Sequence, residues 1–168
     1  MPETKLPIEP LTPERFAPFG QAILKPGAAP TSSGDGWDCW FDVGRLAGGD
    51  LRIGQVVTRR NNAPVAVMER HPDEEFLLPV DGLLIQVVAP AGDLCDPTER
   101  PDASAAVAFR LEPGEAVVVA PSVWHAAALP VDEAALYFFT GLTHPPEPGH
   151  EDSPWVAFRD GVVLRVEV

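Results

Sequence analysis

Glu69-Arg70-His71-Pro72-Asp73-Glu74-Glu75, followed after six residues by Gly82, is the stretch on which the reading of this chain turns. On an extended strand, side chains two apart share a face, so Glu69 and His71 point the same way. Pro72 makes a break, and Glu75 is expected to open the returning strand of a hairpin-like unit. Carboxylate, imidazole and carboxylate would then converge on one cavity. Downstream, Gly114-Glu115 leads through a strand and a turn to Pro121-Ser122-Val123-Trp124-His125. If the sheet closes so that both segments line one interior, His125 becomes a fourth donor. Imidazole and carboxylate together suit Zn, Mn, Fe or Ni.

Outward from this stretch the chain is a series of short strand-like runs broken by turn residues. They are Trp37 to Val43, Leu51 to Thr58, Val65 to Glu69, Glu75 to Val80 and Leu83 to Ala89. Then follow Ala105 to Leu111, Glu115 to Ala120, Ala134 to Thr140, Trp155 to Arg159 and Val162 to Val168. Gly48-Gly49-Asp50, Asp81-Gly82, Glu112-Pro113-Gly114 and Asp160-Gly161 supply the turns. Strands at this spacing, with no helical pattern between them, indicate an all-β sandwich or barrel. One short helix is expected near the start. Thr12 can cap it, Pro13 suits its first position, Glu14 complements the dipole and Gly20 stops it. Pro26 to Gly36 and the proline-rich Pro145 to Pro154 read as loops, and His144 and His150 receive no role.

Composition narrows the partners. The 168 residues suit one domain, spanning 1–168. Twelve Lys and Arg face 25 Asp and Glu, for a formal charge of −13. So acidic a surface repels phosphate backbones and anionic lipid, which disfavours nucleic acid and membrane as partners. An anionic small-molecule substrate would need a few local arginines. Cys39 and Cys95 are too few and too far apart for a disulfide framework. The start, MPETKLPIEPL, lacks a signal peptide's basic and apolar regions, and no apolar run could span a bilayer. A cytoplasmic protein is the expectation.

Two motif regions in this order resemble the cupin double motif. The first, His-x-His, three or four residues, Glu, six residues, Gly, is matched by Glu69-x-His71, Glu75 and Gly82, with Glu for the first His. The second is matched more loosely by Gly114, Pro121 and His125. The resemblance implies a double-stranded β-helix, a jelly-roll barrel, with the short N-terminal helix attached. Glu69-Arg70-His71-Pro72, Phe76-Leu77-Leu78-Pro79, Val87-Val88-Ala89 and Val123-Trp124-His125 more narrowly resemble the ureidoglycolate lyase family. Phe16-Ala17-Pro18-Phe19-Gly20 is similar to that family's opening helix, and Arg59 to a family arginine. The sequence departs from the family where Ala126 replaces a second His, Val119-Ala120 a Tyr-His pair, and Glu75 a Gln. Thr31-Ser32-Ser33-Gly34 stands for an Asn-rich segment.

The resemblance implies a dimeric lyase that releases urea and glyoxylate from ureidoglycolate in allantoin degradation. That reaction needs a base, an acid and a cation for the substrate's carboxylate. Glu69 or Glu75 would serve as base and His71 or His125 as acid. Arg59 or Arg70 would clamp the carboxylate, beside Trp124. Alternatively, a divalent metal held by Glu69, His71, Glu75 and His125 would polarise the hydroxyl. Two other functions fit the same residues. One is a metal-dependent isomerase, hydrolase or dioxygenase acting on another small hydroxy- or keto-acid. The other is a non-catalytic ligand-binding cupin.

Overall fold

Closely spaced turn residues leave space, among the described residues, for one short α-helix and a 3-10 turn at Ala103–Ala105, with strands and loops elsewhere. The structure, a computed structural model, describes residues 2–47, 51–142 and 155–167. Its strands are β1 (Glu3–Pro10), β2 (Gly20–Ile23), β3 (Ser32–Gly34), β4 (Trp37–Cys39), β5 (Leu51–Arg59), β6 (Val67–Met68), β7 (Glu75–Asp81) and β8 (Leu84–Ala91). They continue as β9 (Val107–Leu111), β10 (Ala116–Val119), β11 (Val123–His125), β12 (Leu129–Pro130), β13 (Ala134–Leu142), β14 (Val156–Ala157) and β15 (Val163–Glu167). The helix, α1 (Pro13–Phe16), is capped as expected, Thr12 Oγ1 accepting from the Arg15 amide at 3.2 Å. Gly48-Gly49-Asp50, Pro145 to Pro154, His144 and His150 lie outside the described residues.

Two sheets make the body. The first runs β11-β8-β9-β1-β15 with β12 also on β8, and the second runs β2-β10-β7-β13-β5. One apolar cluster lies between them. Leu84, Val88, Phe109 and Leu111 come from the first sheet, and Leu77, Val117, Val119, Ala135 and Tyr137 from the second. Phe16 and Phe19 close it, meeting Phe109 edge-on at 5.1 and 5.9 Å. This is the expected all-β jelly roll. A second cluster covers the other face of the first sheet, where Ile85, Val87 and Ala89 meet Met68, Trp124 and Phe158. β8 is therefore buried on both faces, which explains its near-continuous apolar sequence. The second sheet's outer face is bare by comparison, with Ile53 75% and Val57 49% exposed.

The structure revises several sequence expectations. The hairpin-like unit does not form. β6 pairs with β14, whereas β7 pairs with β10 and β13, so Pro72 carries the chain from one sheet to the other. β1 escapes a sequence reading because Pro7 and Pro10 argue against a central strand. It pairs in parallel with β15 through Pro7 and with β9 from Ile8, so Pro7 falls where one partner gives way to the next. The expected loop from Pro26 to Gly36 contains β3, which forms an exposed hairpin with β4, and β4 ends at Cys39, short of Val43. β2 and β12 are too short to leave a periodic signal.

Candidate active site

Glu69 lies on the edge of the first sheet. Glu69 and His125 exchange backbone hydrogen bonds, each 2.9 Å, and the Ser122 amide donates to His71 O at 2.9 Å. Residues 69–71 thus run antiparallel beside β11, which is itself held to β8 with His125 opposite Val88. Directly opposed residues share a face, and so do residues two apart. Glu69, His71 and His125 consequently face the interior, and Arg70 and Trp124 face the other way. After Pro72 the chain reaches the second sheet, where Glu75 opens β7 opposite Val119. The four sequence-predicted donors therefore come together, though from two sheets and not from one hairpin.

Their geometry is that of groups surrounding a point. His71 Nε2 lies 3.7 Å from Glu75 Oε2, and His125 Nε2 lies 3.8 Å from Glu69 Oε1 and 4.0 Å from Glu75 Oε2. These separations exceed hydrogen-bond length. The imidazoles meet edge-on at 4.9 Å. His71 Nδ1 is 2.9 Å from Asp73 O, and His125 Nδ1 is 2.9 Å from Val123 O. A carbonyl only accepts, so each Nδ1 carries a proton, and each ring in its neutral form turns an Nε2 lone pair inward. His125 Nε2 is buried with no hydrogen-bond partner.

Such a donor set suits a divalent cation. The ligand atoms of His71, Glu75 and His125 lie within 4.8 Å of one another. Carbonyls behind the rings fix the tautomer that ligation requires.

The two histidines are tuned apart. Burial pulls His125 below the ordinary imidazole value, against the Glu75 charge. Burial also opposes a charge on His71, but Glu75, with Glu69 and the Asp73 carbonyl, outweighs it and raises that pKa. Tyr137, facing the same interior from β13, is pushed up to about 12 by burial and then by the charges of Glu75 and Glu69. It is the chain's only tyrosine. Sequence reading placed its strand but missed its role, because alternation in an apolar run does not distinguish a site residue from a core residue. Val119, where the family pattern carries its tyrosine, faces the same interior, opposite Glu75. Ala126, where the family carries a second His, lies with Trp124 in the outer cluster, so its change removes no donor from the interior.

The arginines are not where the sequence suggested. Arg70 pairs with Glu99, donates to Asp96 O at 2.7 Å and stacks 4.3 Å over Trp124, on the face opposite the cluster. Arg59 ends β5 opposite Ala134. The cluster lies toward the other end of that strand, where Ile53 and Phe76 flank Thr140, about 20 Å away at the strand rise. Neither side chain reaches the donors, and Trp124 faces away from them. A cleft of about 410 Å³ lies elsewhere, lined by Lys5, Arg60, Asn62, Leu129 and Arg165 among others, and shares no residue with the cluster.

Comparison with known proteins identifies the family. The family model described as ureidoglycolate lyase matches residues 3–153. Ureidoglycolate lyase of Burkholderia mallei (strain NCTC 10229) is 34% identical over 139 residues, 77% of this chain and 78% of that protein. Ureidoglycolate lyase of Pseudomonas syringae pv. syringae is 31% identical over 142 residues, again 77% and 78%. Ureidoglycolate lyase 2 of Rhizobium meliloti is 27% identical over 135 residues, 75% and 78%. Among solved structures, RmlC from Streptococcus suis is similar at a TM-score of 0.42 and 10% identity, over 56% of this chain and 44% of that one. The jelly-roll assignment rests on the strand topology and not on that likeness.

Proposed function

Because the chain belongs to the ureidoglycolate lyase family, we propose that it is a carbon–nitrogen lyase that converts ureidoglycolate to urea and glyoxylate. The observation that carries the reading is the convergence of Glu69, His71, Glu75 and His125 on one interior point. In the reaction, the bond between the carbinol carbon and the ureido nitrogen breaks. The hydroxyl loses its proton and becomes the aldehyde oxygen of glyoxylate, and the nitrogen gains a proton and leaves in urea. Glu69, beside the neutral His125, takes the hydroxyl proton. His71, in the imidazolium form that its raised pKa favours, gives its Nε2 proton to the departing nitrogen. Each transfer contributes about 10²–10⁴-fold. Tyr137, kept protonated by burial and the Glu75 and Glu69 charges, has a hydroxyl free to donate a hydrogen bond to the substrate.

A second reading is favoured by the inward Nε2 lone pairs and the partnerless His125 Nε2. Here His71, Glu75 and His125, with Glu69 beside them, hold a Zn, Mn, Fe or Ni ion. Such an ion supplies Lewis acidity to the substrate hydroxyl and charge for its carboxylate. Glu69 remains the base.

Purified protein incubated with ureidoglycolate, with and without chelator, tests both readings. Urea above the spontaneous rate is expected. Its absence would remove the lyase reading, and activity lost to chelator and restored by one metal selects the second. We also propose a homodimer, a reading supported by the exposed Ile53, Val57 and Val80 on the second sheet. Light scattering at twice the 18.0 kDa chain mass is the expected result.

A further inference from the structure

Ureidoglycolate brings a carboxylate into a chain of charge −13 and up to a cluster containing Glu69 and Glu75. Something cationic must meet it, and neither Arg59 nor Arg70 is placed to do so. Other cations are committed elsewhere, Lys5 to Glu167, Lys25 to Glu112, Arg45 to Asp42 and Arg165 to Glu3. We infer that Arg52 binds the substrate carboxylate, an inference that rests on the lyase reading above.

Strand register brings Arg52 level with the cluster. Arg52 pairs with Gly141 across β5 and β13, next to the row in which Ile53, Thr140 and Phe76 stand side by side. One step further along β7 is Glu75. Arg52, Gly141 and Glu75 therefore occupy one line across the second sheet. Their face is fixed by alternation. Val56 and Phe139 pack against the apolar cluster between the sheets, and Leu77 belongs to it. Residues an even number away on the same strands, Arg52 on β5 and Glu75 on β7, share that inner side.

Gly54 corroborates the direction. A Cβ there would collide with the Phe139 ring, which lies over it on the inner side. Arg52 is the next inward position beyond that ring, at the open end of the barrel, where its side chain is exposed. Among the described residues it has no ion-pair partner. Gly141 between it and Glu75 carries no side chain to obstruct the space. Two strand spacings separate Arg52 from Glu75, on the order of 10 Å between Cα atoms. A small hydroxy-acid fits that span, with its carboxylate in the guanidinium fork and its carbinol at the donors.

The test compares Arg52→Ala, Arg52→Lys and Arg59→Ala with the unmodified protein, using ureidoglycolate turnover and inhibition by glyoxylate. Arg52→Ala is expected to raise KM and the glyoxylate inhibition constant together, by roughly ten- to a hundredfold, with a much smaller change in kcat. Arg52→Lys should recover part of the loss, because it restores charge without the fork. Arg59→Ala should behave as the parent. An active parent with unchanged KM in Arg52→Ala overturns the Arg52 assignment alone. A parent that releases no urea overturns the lyase reading, and the assignment falls with it. A loss confined to kcat, or equal in Arg59→Ala, also overturns it.

Discussion

Residues 69–71 and β11 form one two-stranded ribbon whose two faces have opposite characters. On the outer face, every strong group is matched. Arg70 meets Glu99 and the Asp96 carbonyl and lies over Trp124, and Gly92 leaves space for the pair to close. On the inner face, the Nε2 atoms of His71 and His125 stand 3.7–4.0 Å from the Glu69 and Glu75 carboxylates, and His125 Nε2 has no hydrogen-bond partner. A buried polar atom without a partner costs stability; Gln86 Oε1 and Thr140 Oγ1 also lack one, but of these three only His125 Nε2 belongs to the cluster of metal-ligating groups. The difference teaches that a period-two backbone can hold structure and chemistry one residue apart. Changes to the inner face should reduce activity with little loss of stability, and changes to the outer face the reverse.

The largest break in that division is expected from His125→Ala. It should lower kcat for urea release by about 10²–10⁴-fold, while thermal unfolding moves by only a few degrees. If ligand affinity and folding were nearly unchanged and there were no turnover to lose, the inner face would be packing and the chain a binding protein. Glu75→Gln comes next, because it keeps shape and removes the charge shared by both histidines. Metal content after loading with Zn should fall from one ion per chain to well below one, as an affinity loss of tenfold or more requires. Unchanged metal content would leave the pair of histidines and Glu69 as the ligand set.

How much of this division the sequence disclosed depends on the range of the interaction. The inward pair Glu69 and His71 was legible, because alternation within one strand is local. His125 was legible only through its motif, since no local rule connects it to a segment more than fifty residues earlier. That Glu75 would stand in the other sheet was not legible, because Pro72 marks a break without saying where the chain goes next. The same limit misdirected the arginines. Arg70 adjoins the motif in sequence but points out of the barrel by the very alternation that points His71 in. Arg52 lies far from it in sequence and is brought level with Glu75 only by the pairing of β5, β13 and β7. Tyr137 was hidden for the same reason, as one more apolar-strand residue until the opposite sheet is in place.

Arg70→Ala should produce the largest change on the outer face. The arginine side chain is 8% exposed and Glu99 30%, so the pair is partly screened. Its loss should cost about 1–3 kcal/mol, below the figure for a fully buried pair. Unfolding should shift down by several degrees, while kcat/KM at a permissive temperature stays within about threefold. A loss of KM alone would return Arg70 to the substrate.

Gly92→Ala should give the smallest effect. The added methyl would collide with the Arg70 guanidinium and come within 2.5 Å of Glu99 Oε2 and 2.8 Å of Trp124 Nε1. The guanidinium is the free end of a flexible chain and can withdraw, so the cost should be about 1 kcal/mol. The double variant separates the Arg70 contact from the other two. If the collision is with Arg70, Gly92→Ala should cost almost nothing once Arg70 is already alanine, and the coupling energy will equal the single loss. If the loss is undiminished, Glu99 Oε2 or Trp124 is the wall that the methyl meets. The outer face would then depend on those fixed groups more than on the arginine.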